Sequence, residues 1–268
     1  MTEIPQRLFC REFGTGARRV LALHCTLGHS GAWRGLVDAL GADVTFVTPD
    51  LLSHGRSPDW DRQGDYQDRC VAAIEPFLEE PMDVIGHSFS GTLALRLAVA
   101  HPEKLRSLTM IEPVYFAVAK EDDPDLLRDN DAKAGPFSAA LRDGNDALGA
   151  QLFNRMWSDG GPKWADMPEV VRAGMTRSIH VVPAQRPSLY DDRPGMLKPG
   201  VLDRVNIPAL LLRGSLCHPI VKVINDGLAR RLPDAENRDV DGAGHMVPIT
   251  HPSQTAKLLA DLFARAPV

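Results

Sequence analysis

Short apolar runs alternate with amphipathic stretches along this chain; the alternation stops between residues 114 and 203, and then it resumes. Val20 to His24, Val44 to Val47, Met82 to Gly86 and Leu105 to Ile111 have the length and composition of buried strands. Between them, Trp33, Leu36, Val37 and Leu40 fall at i, i+3, i+4 and i+7, one face of a helix, and Tyr66, Cys70, Ile74 and Phe77 mark another. Gly91 to Ala100 is rich in Leu and Ala nearly all round, the pattern of a buried helix. After the interruption come a strand at Pro208 to Leu212, a helix at Ile220 to Leu232 and a short strand near Glu236 to Val240. A last helix follows Pro252 and carries Thr255, Leu258, Leu259 and Leu262 on one face. Such alternation requires a mostly parallel sheet with helices on both faces. The interrupting segment keeps helical spacing (Leu148, Leu152, Met156, then Val171, Met175, Ile179) but has no strand series. The expectation is an α/β core made of residues 1–113 and 204–268, with a helical cap inserted at 114–203. A length of 268 residues suits one large domain carrying an insertion.

Thirty Lys and Arg against 35 Asp and Glu leave a net charge of −5, which argues against nucleic acid as a partner. No stretch is long and apolar enough for a membrane span, and the start, Met1 to Arg7, lacks the apolar run of a secretory leader. Cys10, Cys25, Cys70 and Cys217 are far apart, with no C-x-x-C pair, so neither zinc nor a redox motif is indicated. A cytoplasmic protein without metal or cofactor, acting on a small molecule, is the expectation. The sequence is silent on oligomeric state.

The most informative string is Asp83-Val84-Ile85-Gly86-His87-Ser88-Phe89-Ser90-Gly91, placed between an expected strand and an expected helix. A sharp turn there forces Ser88 into a strained conformation and exposes its hydroxyl, provided the residues two before and two after are small. They are Gly86 and Ser90, so a serine stands where the G-x-S-x-G pattern has its second glycine. With this turn in place the chain resembles the serine-nucleophile α/β-hydrolase superfamily over nearly its whole length. Leu23-His24-Cys25-Thr26-Leu27-Gly28 resembles the family's His-Gly oxyanion segment. Asp50-Leu51-Leu52-Ser53-His54-Gly55-Arg56-Ser57 resembles its D-x-x-G-x-G-x-S loop, and Asp241-Gly242-Ala243-Gly244-His245 the segment bearing its histidine. Cys25 and Ser53 depart from the pattern, each adding a side chain where a glycine is usual. Cys25 reads as a buried structural thiol, since no base is indicated for it.

Chain order Ser…acid…His marks His245 as the general base for Ser88. His24, His54 and His87 read as residues that brace the loops around it. The acid is the gap in the pattern. The usual position, three residues past Gly214, holds Cys217, and the loop Ser215 to Pro219 has no carboxylate. The resemblance offers a second position, after the preceding strand, and there stands Glu112. The alternative for Glu112 is a carboxylate that only caps its loop or meets an arginine. The resemblance also implies an oxyanion hole made by the backbone N–H groups of Thr26 and Phe89.

The inserted segment holds many aromatic and methionine residues, which implies a largely apolar pocket. Phe137, Trp157 and Trp164 are its expected lining. Arg155, Arg172, Arg177 and Arg186 are candidates for a substrate carboxylate, each with an ordinary helix-surface role as the alternative. The resulting expectation is a serine hydrolase cleaving an ester, lactone or related acyl bond through Ser88, His245 and Glu112. Haloalkane dehalogenase and epoxide hydrolase chemistry on this fold needs a carboxylate nucleophile, so Ser88 argues against both. A cofactor-free lyase or oxygenase and a small-molecule receptor are the rival readings.

Overall fold

The computed structural model describes residues 7–158 and 161–266. The opening residues 1–6, most of the stretch that lacks a leader's apolar run, lie outside them. In chain order the strands are β1 (Cys10–Gly14), β2 (Arg18–Leu23), β3 (Val44–Pro49), β4 (Met82–His87), β5 (Leu105–Ile111), β6 (Ala209–Gly214) and β7 (Ala235–Val240). The helices of the first part are α1 (Arg34–Leu40), α2 (Tyr66–Ile74) and α3 (Phe89–Ala100). Between β5 and β6 stand α4 (Phe116–Asp122), α5 (Pro124–Lys133), α6 (Gly135–Arg142), α7 (Asp146–Trp157), α8 (Glu169–Ser178), α9 (Val181–Ala184) and α10 (Arg186–Tyr190). The chain finishes with α11 (Pro219–Arg231), α12 (Val247–Thr250) and α13 (Pro252–Arg265).

One seven-stranded sheet runs β1-β3-β2-β4-β5-β6-β7. All neighbours are parallel except β1, which pairs antiparallel with β3. Alternate residues of β2 show why both faces are covered. Val20 and Ala22 pack with Trp33, Phe46, Leu259 and Phe263 on the side of α1 and α13, whereas Leu21 and Leu23 pack with Val84, Leu93 and Ile224 on the side of α3 and α11. β3 and β4 are buried throughout, as their continuous apolar character predicts. The charge within β4, Asp83, is compensated: it accepts from Arg18 at 2.7 Å and from Ser107 Oγ at 2.6 Å.

β1 is the strand that periodicity does not reveal. Its sequence, Cys-Arg-Glu-Phe-Gly, has no apolar run because it lies at the edge, half exposed. The insertion leaves the sheet beside the ends of β4 and β5, and a separate small core (Phe137, Ala150, Ile179) joins it to Leu27 in the loop after β2. Leu148, expected on the packed face of α7, is 40 % exposed, and the buried positions there are Gly149 and Ala150. Among the described residues no helix is long and apolar enough to cross a membrane.

Candidate active site

Ser88 occupies the junction between β4 and α3 with φ 59° and ψ −120°, a region that non-glycine residues rarely enter. The turn closes because Gly86 has no side chain: a Cβ there would meet the Ser90 carbonyl at 2.0 Å. Ser88 N–H is held by the Ile111 carbonyl at 2.8 Å. The serine that replaces the second glycine is put to use, since Ser90 Oγ donates to the His24 carbonyl at 2.5 Å and ties the elbow to the neighbouring loop.

Glu112 follows β5 directly and also has positive φ, 51°. Its N–H donates to the Leu212 carbonyl at 2.7 Å, so the sheet register positions it before its side chain is considered. The carboxylate is fully buried, accepting from Gly214 N–H at 2.6 Å through Oε1 and from His245 Nδ1 at 3.0 Å through Oε2. The other nitrogen of His245, Nε2, lies 3.0 Å from Ser88 Oγ. Ser88, His245 and Glu112 therefore form one hydrogen-bonded chain, able to pass a proton from a hydroxyl to an imidazole whose charge the carboxylate offsets. Cys217, at the usual acid position, abuts this chain; burial, then the neighbouring Glu112 carboxylate, pushes its thiol up to about 12.

Three further histidines surround these groups. His87 Nε2 donates to the His245 carbonyl at 2.9 Å, fixing the backbone of the histidine loop. His24 and His54 brace two loops reciprocally. His24 Nδ1 donates to Cys25 O while its Nε2 accepts from Leu51 N–H at 3.0 Å. His54 Nδ1 donates to Leu52 O while its Nε2 accepts from Leu27 N–H at 3.0 Å. Each ring must be neutral to do both, and burial holds His24 down to about 4 and His54 and His87 down to about 3. Asp50 ties the same loops through Ser30 N–H at 2.6 Å and Arg56 N–H at 2.9 Å. Gly55 must be glycine there, because a Cβ would lie 2.1 Å from Asp50 Oδ2.

The clamped loop carries Thr26 past Ser88. Phe89 is the first residue of α3, so its N–H has no partner within the helix. Above Thr26 sits Gln185 from the insertion, its amide 3.2 Å from Thr26 Oγ1, a buried polar contact that no sequence pattern signalled. Ser53 departs from glycine with φ 65°, and its Oγ accepts from Trp60 N–H at 3.0 Å and lies 3.2 Å from His180 Nε2. Cys25 is buried, and burial pushes its thiol up to about 12, which fits an inert thiol.

Two cavities meet at Ser88 and share Thr26, Phe153 and Trp157. The first, about 480 Å³, runs under α5, α6 and α10 and includes Phe137. The second, about 340 Å³, is walled by Met167, Val171, Met175, Met246 and Ile249. The Trp157 ring stands 4.7 Å from that of His245, at the junction of the two. Trp164 corrects the expectation of a pocket residue: it packs half-buried into the Phe137–Ile179 core and lines neither cavity. Of the four arginines considered, Arg186 lines the first cavity, while Arg177 is engaged by Asp59 and the Gly55 and Ser57 carbonyls. Among the described residues no cluster of three His, Cys, Asp or Glu side chains could hold a metal.

A strained serine between a parallel strand and a helix, an imidazole against its hydroxyl and a carboxylate behind that imidazole together define a nucleophile-elbow α/β protein. The chain belongs to the alpha/beta hydrolase family, whose model matches residues 20–258. It is 29% identical to Lipase LipV of Mycobacterium tuberculosis, over 91% of this chain and 93% of that one. It is 27% identical to the pimeloyl-[acyl-carrier protein] methyl ester esterase of Methylococcus capsulatus, over 96% of this chain and 98% of that one. Among solved structures, an alpha/beta hydrolase from Sphaerobacter thermophilus superposes with a TM-score of 0.68 at 20% identity, covering 97% of this chain and 99% of that one.

Proposed function

We propose that this chain is a serine ester hydrolase in which Ser88 is the nucleophile, His245 the general base and then acid, and Glu112 the residue that orients His245. The observation that carries the reading is the unbroken chain Ser88 Oγ–His245 Nε2, His245 Nδ1–Glu112 Oε2, each link 3.0 Å, built on a strained elbow. Ser88 Oγ attacks the ester carbonyl as its proton passes to His245 Nε2. The N–H groups of Thr26 and Phe89 receive the oxyanion. Collapse expels the alcohol with the proton from His245, and water, deprotonated by the same nitrogen, releases the acid and restores Ser88. Esters, lactones and related acyl bonds all suit this sequence of steps. The names of the relatives, a lipase and a methyl ester esterase, favour carboxylic esters.

Residues 114–203 act as a cap, roofing both cavities and selecting the substrate, a small molecule. The four free thiols fit the reducing, cytoplasmic compartment implied by the cysteine spacing. A fluorophosphonate probe tests the assignment: one adduct is expected, on the peptide containing Ser88, abolished in Ser88→Ala. Multiple turnover on a panel of chromogenic acyl esters is expected alongside it. Labelling elsewhere with Ser88 untouched overturns the reading, and tight binding with no turnover would favour a receptor.

A further inference from the structure

Resting on the ester hydrolase reading, we propose that the first cavity recognises an ester limb with an apolar body and a terminal carboxylate, held by Asn130, Arg186 and Arg142. Asn130 is the observation that points to a ligand. It lies near the end of α5, is only 4 % exposed, lines the cavity, and its side-chain amide makes no hydrogen bond among the described residues. An amide that faces the cavity without a protein partner keeps its donors and acceptor free, so a group that enters the cavity and accepts its N–H makes a bond that no side chain makes.

Arginine reaches the same cavity from two other helices. Arg186, at the start of α10, lies 4.1 Å over the Tyr190 ring, and Arg142 closes α6. Both are exposed residues that line the cavity, and neither forms an ion pair with a carboxylate among the described residues. Elsewhere among the described residues Arg18, Arg96, Arg193, Arg213, Arg231 and Arg265 do meet Asp or Glu. The one carboxylate on the cavity wall, Asp131, has an oxygen occupied by the Tyr190 hydroxyl at 2.8 Å. Two guanidinium groups against one engaged carboxylate leave the cavity lining favourable to an anion. The same lining holds Ser88 and the apolar side chains of Phe116, Phe137, Met156 and Leu189. Among the described residues the second cavity has Met167, Val171, Met175 and Ile249 and no Lys, Arg, Asp or Glu, which favours an uncharged limb there.

Matched medium-chain esters test this, with the carboxylate at the end of the acyl limb in one series and of the alcohol limb in another. Each is compared with its ω-methyl counterpart. In at least one series kcat/KM is expected to favour the carboxylate by about tenfold or more, chiefly through KM, the size of one charge-assisted hydrogen bond. Arg186→Gln and Asn130→Leu should each reduce that ratio by roughly tenfold, and Arg186→Glu should shift preference to an ω-ammonium ester. Preference for ω-methyl esters in both series, or a ratio unmoved by all three substitutions, overturns the inference. Hydrolysis of short esters with a Ser88 adduct but no carboxylate preference overturns this inference alone. Absence of both adduct and turnover overturns the ester hydrolase reading instead. The subsite is then judged by calorimetry on Ser88→Ala, using an unreactive ω-carboxylated alkyl amide against its ω-methyl analogue. Roughly tenfold tighter binding of the former supports it, and equal binding overturns it.

Discussion

Glu112 accepts two hydrogen bonds while its own backbone sits at φ 51°, so its carboxylate is aimed by the sheet rather than by a flexible loop. Glu112→Gln is the sharpest test of its proposed role. The amide oxygen would keep the Gly214 N–H, leaving the NH₂ facing His245 Nδ1. That imidazole would then carry its proton on Nε2, where it cannot accept the proton of Ser88. In a comparable triad the wrong tautomer costs roughly 10⁴-fold in kcat, and a loss of that order with normal folding is expected from steady-state kinetics and circular dichroism. Cys217→Ala should change kcat by less than about threefold, since a neutral thiol carries no charge to offset imidazolium. Cys217→Asp in the Glu112→Gln background should recover part of the activity, because the usual acid position abuts the same chain. Near-normal turnover in Glu112→Gln would falsify the assignment.

At the scale of elements, the loop after β2 and the loop after β3 hold one another through His24 and His54. His54→Leu removes the acceptor for Leu27 N–H and leaves that buried group unpaired, a loss of about 1–3 kcal/mol. His54→Gln places an oxygen near the lost nitrogen and should recover much of it. Urea unfolding of the two variants measures the difference. Because Thr26 lies on the clamped loop, His54→Leu should also lower kcat by about tenfold with little change in KM, a fraction of the loss from removing an oxyanion donor outright. Trp157 is one of the insertion's contacts with the site: its ring stands 4.7 Å from that of His245 and it lines both cavities. Trp157→Ala should merge them and shift the preferred acyl chain length, read as kcat/KM across a homologous ester series. Trp164→Ala, packed in the insertion's own core, should lower stability without that shift. The helical spacing of α7 and α8 was legible in the sequence, but which aromatic faces a cavity was not. Spacing marks a buried face without saying whether protein or empty space lies opposite.

For the whole molecule, three buried neutral histidines make stability depend on pH in one direction. His24, His54 and His87 have pKa values lowered by burial from 6.5 to about 4, about 3 and about 3. The unfolded chain therefore takes up protons first as pH falls below about 6.5, and the folded state loses stability until pH approaches those lowered values. Each histidine contributes a slope of up to about 1.4 kcal/mol per pH unit in that window. Asp50, held low mainly by Arg56 and Ser30 N–H groups against its burial, acts in the same direction at lower pH. Urea unfolding should give nearly constant stability between about pH 7 and 8 and a steep decline below about 6. His54→Gln should make that decline shallower, and a flat profile down to about pH 4.5 would contradict the neutral clamps.

Apart from the edge strand β1, the order of strands and helices, the helical stretch between β5 and β6 and the turn at Ser88 could be read from the sequence because each is decided within a few neighbouring residues. Period-two and period-3.6 burial and the sterics of Gly86 act locally. His245 followed from its place in the chain order. Glu112, not Cys217, was already the sequence's candidate for the acid, but three features needed the folded chain: the Gly214 N–H that shares Glu112 with His245, Gln185 against Thr26, and Asn130 with Arg186 and Arg142 around one cavity. Those contacts join residues from different elements, and the sheet order together with the path of the insertion brings them together. Neither depends on any local pattern, so the partners become visible only when the chain is folded.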